Sequence, residues 1–255
     1  AYGVVILRYE VDLHCHTIAS GHAYSTIKEN AEVAAQKGLK MIAITDHGPA
    51  LGEPISTYYF GNMTVIPRQI EGVYILRGVE ANILDVDGTL DLPERFLKKL
   101  DIVLAGLHND CFSGKTVEDN TKAIIAAMKN PYVDVIVHPG NPAFPIEIDK
   151  FVEAAKELNV HIEINNSSFI GSRKGSEENC LMIAKKAAAI GAKVCLGSDA
   201  HFCFDVGNLE KANEIVEKAG ILEDNILNTS VDKVVNFLKS KGRELIPGKK
   251  TFPNI

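Results

Sequence analysis

EVDLHCH, residues 10–16, is a short apolar run that ends in His14, with a second histidine, His16, two residues further on. Five more runs end in a histidine, a glutamate or an aspartate, and each is short, rich in Val, Ile and Leu, and flanked by Gly, Pro or polar residues. They are MIAITDH at 41–47, YILRGVE at 74–80, DIVLAGLH at 101–108, VDVIVH at 133–138 and VCLGSD at 194–199. Such runs are typical of strands that are buried on both faces of a parallel sheet.

A seventh strand is predicted at about 160–167, and segments with helical periodicity lie between the strands. The predicted helices span about 26–37, 117–129, 149–158, 176–190, 208–218 and 230–241. Thr26 and Glu29 have the spacing of a capping box, and Gly191 follows the fourth of these helices. The order of elements predicts an α/β fold, a closed or nearly closed (βα)7 barrel with right-handed crossovers and no clear eighth strand.

The strand ends carry the residues that point to a function. Parallel strands place their C-terminal ends on one side of a barrel, and the active sites of α/β barrels lie there. Nine imidazole and carboxylate groups are therefore predicted to converge: His14, His16, His22, His47, Glu80, His108, His138, Asp199 and His201. Histidine and carboxylate clustered at one barrel face is the donor set that zinc, iron or manganese requires. The pattern predicts a multinuclear metal site.

Side-chain alternation extends this prediction to neighbouring residues. Residues two apart in a strand face the same side, so Asp12 is expected to share a face with His14 and His16. Asp12 and Asp46 are candidates to orient ligand histidines, although a solvated or capping carboxylate fits the sequence equally well. His161 begins a strand, at the end of the barrel opposite to the other histidines, and it is assigned no role.

Composition limits the class of protein. The chain has 255 residues, is 46% hydrophobic and carries a formal net charge of −6. No Pro/Gly/Ser-rich stretch or charge block divides it, so a single domain over 1–255 is predicted. The acidic balance, without a Lys/Arg cluster, argues against a nucleic-acid partner.

The expected location also follows from composition. No stretch reaches transmembrane length, and AYGVVIL at 1–7 is too short for a signal peptide and is interpreted as a leader or a start-site artefact. Five cysteines without a CxxC pair indicate a reducing compartment. A cytoplasmic protein without a membrane partner is expected, and the sequence leaves open whether it forms a homo-oligomer.

Several motifs together resemble the PHP (polymerase and histidinol phosphatase) superfamily. They are D-L-H-x-H at 12–16, T-D-H at 45–47, the lone Glu80, H-P-G-N at 138–141 and G-S-D-x-H at 197–201. The resemblance runs from about residue 8 to residue 243, nearly the whole chain. HAYST at 22–26, and INNSSF with SRKGSEENC between 164 and 180, make the chain most similar to the stand-alone trinuclear-zinc phosphatases of that family.

The resemblance implies a distorted (βα)7 barrel of the PHP type that holds about three zinc ions per chain, with manganese or iron as alternatives. The implied ligands are His14, His16, Glu80 and Asp199 for the first ion, Glu80, His108 and His138 for the second, and His22, His47 and His201 for the third. All nine family positions carry an acceptable type of ligand in this chain.

The chemistry predicted for such a cluster needs no protein nucleophile. Metal coordination lowers the pKa of water from about 15.7 to about 7, so a metal-bound hydroxide is expected to hydrolyse a phosphate monoester. Neither a GxSxG elbow nor a GxxxxGK[ST] loop is present. Arg173 and Lys174, in the loop after the 160–167 strand, are candidates to bind the phosphate of a small phosphorylated substrate. The alternative is a solvated basic pair.

Three other functions remain open at this point. Phosphodiesterase or exonuclease chemistry would need a basic track, and this acidic chain shows none. Hydrolysis of histidinol phosphate would use the same chemistry as hydrolysis of other phosphate monoesters. A non-catalytic metal-binding protein would be favoured by degenerate ligand positions, and the sequence contains none among the nine.

Overall fold

The computed structural model describes residues 9–52, 55–114, 116–169, 173–243 and 245. The leader predicted at 1–7 lies outside the described residues. The strands in the described part of the chain are β1 Val11–Cys15, β2 Met41–Ile44, β3 Gln69–Ile70, β4 Val73–Asn82, β5 Ile102–Gly106, β6 Val135–Ile136, β7 His161–Asn165 and β8 Val194–Gly197. All seven predicted strands are present, and β3 is an addition that the sequence analysis missed.

The helices are α1 Ile27–Gln36, α2 Thr57–Asn62, α3 Glu94–Leu97, α4 Val117–Met128, α5 Ile148–Glu157, α6 Ser176–Ile190, α7 Glu210–Ala219 and α8 Val231–Ser240. Local chemistry sets their ends. The predicted capping box begins α1, because Thr26 accepts a hydrogen bond from the Glu29 amide while the Glu29 carboxylate accepts one from the Thr26 amide. Gly191 ends α6 with φ of 71°, a conformation that glycine adopts without steric cost. Within the described segments, none of the helices combines the length and the apolar content that a membrane span needs.

The sheet has the order β1-β2-β4-β5-β6-β7-β8, and all of these neighbours are parallel. The short β3 pairs antiparallel with β4 through a tight turn in which Glu71 and Gly72 have φ of 52° and 78°. Positive φ at both central positions is the geometry of a two-residue hairpin turn. The parallel strands form a nearly closed seven-stranded barrel with one seam, which confirms the predicted fold class.

Alternation along the strands separates the apolar side chains into two layers. Ile102 and Leu104 of β5 pack in a cluster inside the barrel, together with Phe237 of α8. Val103 and Ala105, between them in sequence, belong to the larger cluster that includes the surrounding helices. Helix α8 therefore closes the end of the barrel at which the strands begin.

His161 lies at this closed end. It is the first residue of β7, it is 2% exposed, and its ring centroid is 4.2 Å from that of Phe237. Burial, together with the charge of Lys193, lowers its pKa to about 3. The ring is therefore neutral at physiological pH. It packs against α8, at the end of the barrel opposite to the C-terminal ends of the strands.

The side chain of Asn228 bridges the seam between β1 and β8. Asn228 donates through Nδ2 to the carbonyl oxygens of Val11, at 2.9 Å, and of Leu196, at 3.1 Å. Its Oδ1 atom accepts from the Leu196 amide at 2.9 Å. The asparagine supplies hydrogen bonds that an eighth strand would otherwise make, since buried backbone groups need partners.

Replacing this side chain is expected to destabilise the barrel. Asn228→Ala removes three buried hydrogen bonds, and groups left without a partner cost about 1–3 kcal/mol each, so the free energy of unfolding should fall by about 3 kcal/mol or more. Urea denaturation measures the loss. Asn236→Ala, on the exposed face of α8, is the control and should change stability by less than about 0.5 kcal/mol. Equal stability of the two variants would contradict the role of Asn228.

Candidate metal centre

The carboxyl ends of the parallel strands bring the nine predicted ligands into one cluster at the open end of the barrel. Backbone bridges join the strand ends, since His47 pairs with Glu80, and Cys15 pairs with Ala200. Six of the nine side chains are buried, His108 and His201 are half-buried, and His22 is exposed. The cluster therefore extends from the barrel interior to the surface.

Glu80 lies at the centre of the cluster and is 1% exposed. Its Oε1 atom is 2.7 Å from Nε2 of His138 and 3.1 Å from Nε2 of His108. Three ring nitrogens lie 2.9–3.3 Å from its Oε2 atom, those of His47, His14 and His16. None of the three makes a hydrogen bond with Oε2 in the described structure. A buried carboxylate oxygen that has no hydrogen bond and faces several ring nitrogens is in a suitable position to bind a metal ion.

Asp199 adds a second carboxylate, which Arg173 reaches from the loop after β7. Asp199 Oδ1 is 3.2 Å from Nε2 of His16 and 3.6 Å from Nε2 of His14. Its Oδ2 atom forms an ion pair with the Arg173 guanidinium and accepts from Asn165 Nδ2 at 3.2 Å. Asp199 has φ of 54°, a left-handed conformation that few residues other than glycine, asparagine and aspartate adopt. Residues other than glycine in this region are frequent at functional positions.

Three histidines form the outer part of the cluster. The His22 ring centroid is 5.0 Å from that of His47 and 4.8 Å from that of His201. His22 Nδ1 lies 3.0 Å from the carbonyl oxygen of Ser20, and His201 Nδ1 lies 3.0 Å from that of Asp199. Because a carbonyl oxygen only accepts, Nδ1 carries the proton in both rings and Nε2 keeps its lone pair for a ligand.

Asp46 orients His16 through a serine. Ser20 donates its hydroxyl proton to Asp46 Oδ1 at 2.7 Å, so its oxygen accepts from His16 Nδ1 at 3.0 Å. Asp46 also accepts from the Thr17 amide at 2.7 Å and from the Tyr59 hydroxyl at 2.5 Å. The sequence left open whether Asp46 orients a candidate ligand or is a solvated or capping carboxylate, and these contacts favour the orienting role.

The expectation that Asp12 shares a face with His14 is wrong. The register between β1 and β2 shifts between Asp12 and Cys15, and such an irregularity interrupts strict alternation. The Asp12 carboxylate accepts from the backbone amides of His14, at 3.3 Å, of Ser198, at 3.1 Å, and of Gly207, at 2.7 Å. It therefore ties β1 to the segment after β8 and orients no ring.

Electrostatics divides the histidines into two groups. Burial alone lowers the pKa of His14 and His16, but the surrounding carboxylates outweigh burial. They raise the pKa of His14 well above its ordinary value and that of His16 to about 9. Burial dominates at His47, His138 and His201, and lowers their pKa to about 3, 4 and 4. The carboxylates at the centre thus favour the protonated forms of these two rings.

Both central carboxylates are ionised. Burial on its own raises the pKa of Glu80, but the histidine rings that surround it outweigh burial and hold the pKa well below the ordinary value. At Asp199, Arg173 and His14 likewise outweigh burial and lower the pKa. Two buried anions beside neutral imidazole nitrogens are a suitable donor set for first-row divalent metals.

The geometry also fits metal binding. Three sets of residues each offer possible ligand atoms that lie within 4.8 Å of one another. The sets are His16, His47 and His201; His14, His16 and Glu80; and His47, Glu80 and His108. In the described structure, Nδ1 of both His47 and His108 is buried without a hydrogen bond. The described residues can therefore hold a metal ion at this end of the barrel.

The two residues predicted to bind phosphate lie in different environments. The Arg173 side chain is 15% exposed and contacts Asp199 within the cluster. Lys174 is exposed beside it. Arg173 is therefore the basic residue that the structure brings to the candidate metal centre.

Two polar residues of β7 support the cluster and were not predicted from the sequence. Glu163 Oε1 is 2.7 Å from His14 Nδ1, and Asn165 contacts Asp199 as described above. The signal was present in HIEIN, where Glu163 and Asn165 alternate with isoleucines. Polar residues at successive inner-face positions near the C-terminal end of a barrel strand indicate contact with a polar site there.

The chain forms a seven-stranded α/β barrel with a buried cluster of histidines and carboxylates at its open end. These features are typical of barrel proteins that bind metal ions. The chain belongs to the PHP domain family, whose model matches residues 12–220. The family suggested by the sequence motifs is thereby confirmed.

Relatives and a solved structure agree with this assignment. The chain is 58% identical over 240 residues to a probable phosphatase of Thermoanaerobacter sp. (strain X514), covering 94% of this chain and 98% of that protein. It is 56% identical over 251 residues to a probable phosphatase of Caldanaerobacter subterraneus subsp. tengcongensis, covering 98% and 99%. Its fold is similar to that of histidinol phosphate phosphatase from Lactococcus lactis, solved with zinc, L-histidinol and phosphate. The TM-score is 0.59 and the identity 17%, over 84% of this chain and 95% of that one.

Proposed function

We propose that this protein hydrolyses phosphate monoesters at a trinuclear metal centre. The observation that carries the proposal is Glu80, whose two oxygens face five imidazole rings, beside an arginine able to bind a phosphoryl group. The names of the relatives support the reaction class, because two proteins that align over nearly the whole chain are called probable phosphatases.

The proposed ligand sets are those that the family resemblance implies. His14, His16, Glu80 and Asp199 bind the first ion, Glu80, His108 and His138 the second, and His22, His47 and His201 the third. Zinc is the proposed metal, at about three ions per chain, with manganese or iron as alternatives. When bound, such ions supply a nucleophile by lowering the pKa of a coordinated water and offset the charge of the phosphoryl oxygens.

The side chains of this chain position the substrate. Arg173 bonds to Asp199 in the structure, at the edge of the ligand set. A phosphoryl group presents the same paired oxygens as a carboxylate, and the planar guanidinium recognises either in a bidentate manner. We infer that Arg173 binds the phosphate when Asp199 serves as a metal ligand. Lys174 adds positive charge at the mouth.

A substrate panel tests the proposed reaction. Protein purified without chelator is analysed for metal content and assayed with an aryl phosphate monoester, the matching aryl diester, a short oligonucleotide and histidinol phosphate. We expect about three metal ions per chain and metal-dependent turnover of the monoester, with little turnover of the diester or the oligonucleotide. Absence of metal-dependent monoester turnover would refute the proposal. Histidinol phosphate tests whether the substrate lies in that narrower group.

Removing the guanidinium is expected to weaken phosphate binding. Arg173→Ala should raise the inhibition constant of inorganic phosphate about 10- to 100-fold, since hydrogen bonds to charged groups contribute about 1.5–3 kcal/mol. Steady-state inhibition of aryl phosphate turnover measures this constant. Arg173→Lys keeps the positive charge but lacks the planar guanidinium, so its inhibition constant should lie between those of the wild type and Arg173→Ala. Lys174→Ala should have a smaller effect, because that side chain is exposed. An unchanged constant for Arg173→Ala would show that Arg173 does not contact the ligand.

A further inference from the structure

Glu163 contacts two of the candidate ligands from behind the cluster. It lies in the middle of β7 and is 1% exposed. Its Oε1 atom is 2.7 Å from His14 Nδ1, and its Oε2 atom accepts from the backbone amide of His138 at 2.8 Å. Asn165 donates to the same Oε2 atom at 3.0 Å. Both oxygens of one buried carboxylate are therefore used to hold the site.

The contact with His14 determines which ring nitrogen faces the cluster. A carboxylate only accepts hydrogen bonds, so His14 Nδ1 must carry a proton. The opposite nitrogen, Nε2, lies 3.3 Å from Glu80 Oε2 and is directed toward the centre. A histidine that donates Nδ1–H to a carboxylate is held in the orientation and tautomer that metal coordination through Nε2 requires.

The contact with His138 holds an unfavourable backbone conformation. His138 has φ of 35°, a value that costs roughly 1–2 kcal/mol for a residue with a Cβ atom. The Glu163 carboxylate binds the amide of that same residue, while the ring Nε2 reaches Glu80 at 2.7 Å. The hydrogen bond therefore helps to fix the backbone from which the His138 ring enters the cluster.

The surroundings reserve space for this carboxylate. Any side chain at Gly197 would place its Cβ atom in collision with the carboxylate of Glu163 and in close contact with His14. Asn165, which is bound to Glu163, also donates to Asp199. Glu163 thus belongs to a network that touches candidate ligands on β1, after β6 and after β8.

We propose that Glu163 is a positioning residue that fixes His14 and His138 together, so that one carboxylate organises ligands of two different metal ions. This inference rests on the proposed metal centre. Glu163 contacts no ion itself and acts through the ligands it holds. An amide cannot replace it, because accepting from both His14 Nδ1 and the His138 amide requires two acceptor oxygens, and glutamine has one.

The test compares metal binding by Glu163→Gln and Asp134→Asn. Asp134 is a matched control, a fully buried carboxylate that accepts from the Val103 amide and pairs with Arg243 outside the cluster. Chelator competition with zinc should show two ions bound about 10- to 100-fold more weakly in Glu163→Gln, as expected for loss of a residue that orients ligands. The third ion, and all ions of Asp134→Asn, should bind as in the wild type. Affinities within about twofold of wild type for every ion in Glu163→Gln would overturn the proposal.

A second measurement needs no variant and so does not depend on whether Glu163→Gln folds. Nitrogen-15 spectra of the zinc-loaded wild type should show His14 with a hydrogen-bonded proton on Nδ1 and with Nε2 unprotonated. A His14 ring without a proton on Nδ1 would overturn the proposal. A wild type that binds zinc and has this spectrum but hydrolyses no phosphate ester would refute the proposed function while supporting the role of Glu163.

Discussion

Glu80→Gln is expected to weaken the binding of two metal ions together and to lower phosphatase turnover by several orders of magnitude. Glutamine keeps the size and shape of glutamate but loses the negative charge and one anionic oxygen. The two oxygens of Glu80 face different sets of rings, with His138 and His108 on one side and His47, His14 and His16 on the other. A carboxylate so placed can span two cations, which in two-metal sites lie about 3.5–4 Å apart.

The pattern of loss distinguishes a bridging role from a general effect on folding. The ion assigned to His22, His47 and His201 should largely survive in Glu80→Gln, because Glu80 is not among its proposed ligands. Elemental analysis of purified protein and turnover of an aryl phosphate measure the two effects. Full activity with all metal retained in Glu80→Gln would show that the open end of the barrel is not the active face.

His161→Gln is the matched control for that prediction. It replaces a buried histidine at the closed end of the barrel, where the ring packs against Phe237. Metal content and turnover should stay near wild type even if stability falls. Loss of metal by a folded His161→Gln protein would contradict the assignment of the two barrel ends.

The sequence was sufficient to predict the barrel because the strands are buried on both faces. Such strands appear as continuous apolar runs, and each run here stops at the polar residue that enters the cluster. Helix ends were predictable for a similar reason, since capping residues such as Thr26 act within a few positions of themselves. Both signals are local in sequence.

The features that were missed depend on contacts between distant segments. Asn228 forms hydrogen bonds to both β1 and β8, and its partner Val11 in β1 is 217 residues away. The register shift that turns Asp12 away from His14 arises between two paired strands. Glu163 lies 149 residues from His14. No periodicity within one segment could predict such pairs, although the polar alternation of β7 could have marked Glu163 as an inner-face residue.

Metal removal is expected to abolish phosphatase turnover and to destabilise the protein in a pH-dependent way. Without an ion, the charges of Glu80 and Asp199 favour the protonated forms of His14 and His16. Burial opposes the charge on His16, but the carboxylates of Asp199 and Glu80, which face its Nε2 atom, raise its pKa from 6.5 to about 9. A raised pKa contributes stability that is fully present below the unfolded value and is lost as the pH rises through the folded value. The metal-free protein should therefore lose stability as the pH rises from about 7 to about 10.

The metal-loaded protein should not share this loss, because the cations balance the carboxylates without protons. Metal binding also becomes stronger as competing protons leave the ligands. The metal-loaded protein should therefore become more stable relative to the metal-free protein as the pH rises. The gap in Tm between zinc-loaded and chelator-treated protein should widen from about pH 7 to about pH 10. Lysines and tyrosines outside the cluster titrate in both forms, so their contributions largely cancel in the gap. The rings of His47, His138 and His201 have pKa values of about 3–4 and stay neutral across this range. A gap that stayed constant or narrowed with rising pH would show that metal ions do not replace the protons of His14 and His16.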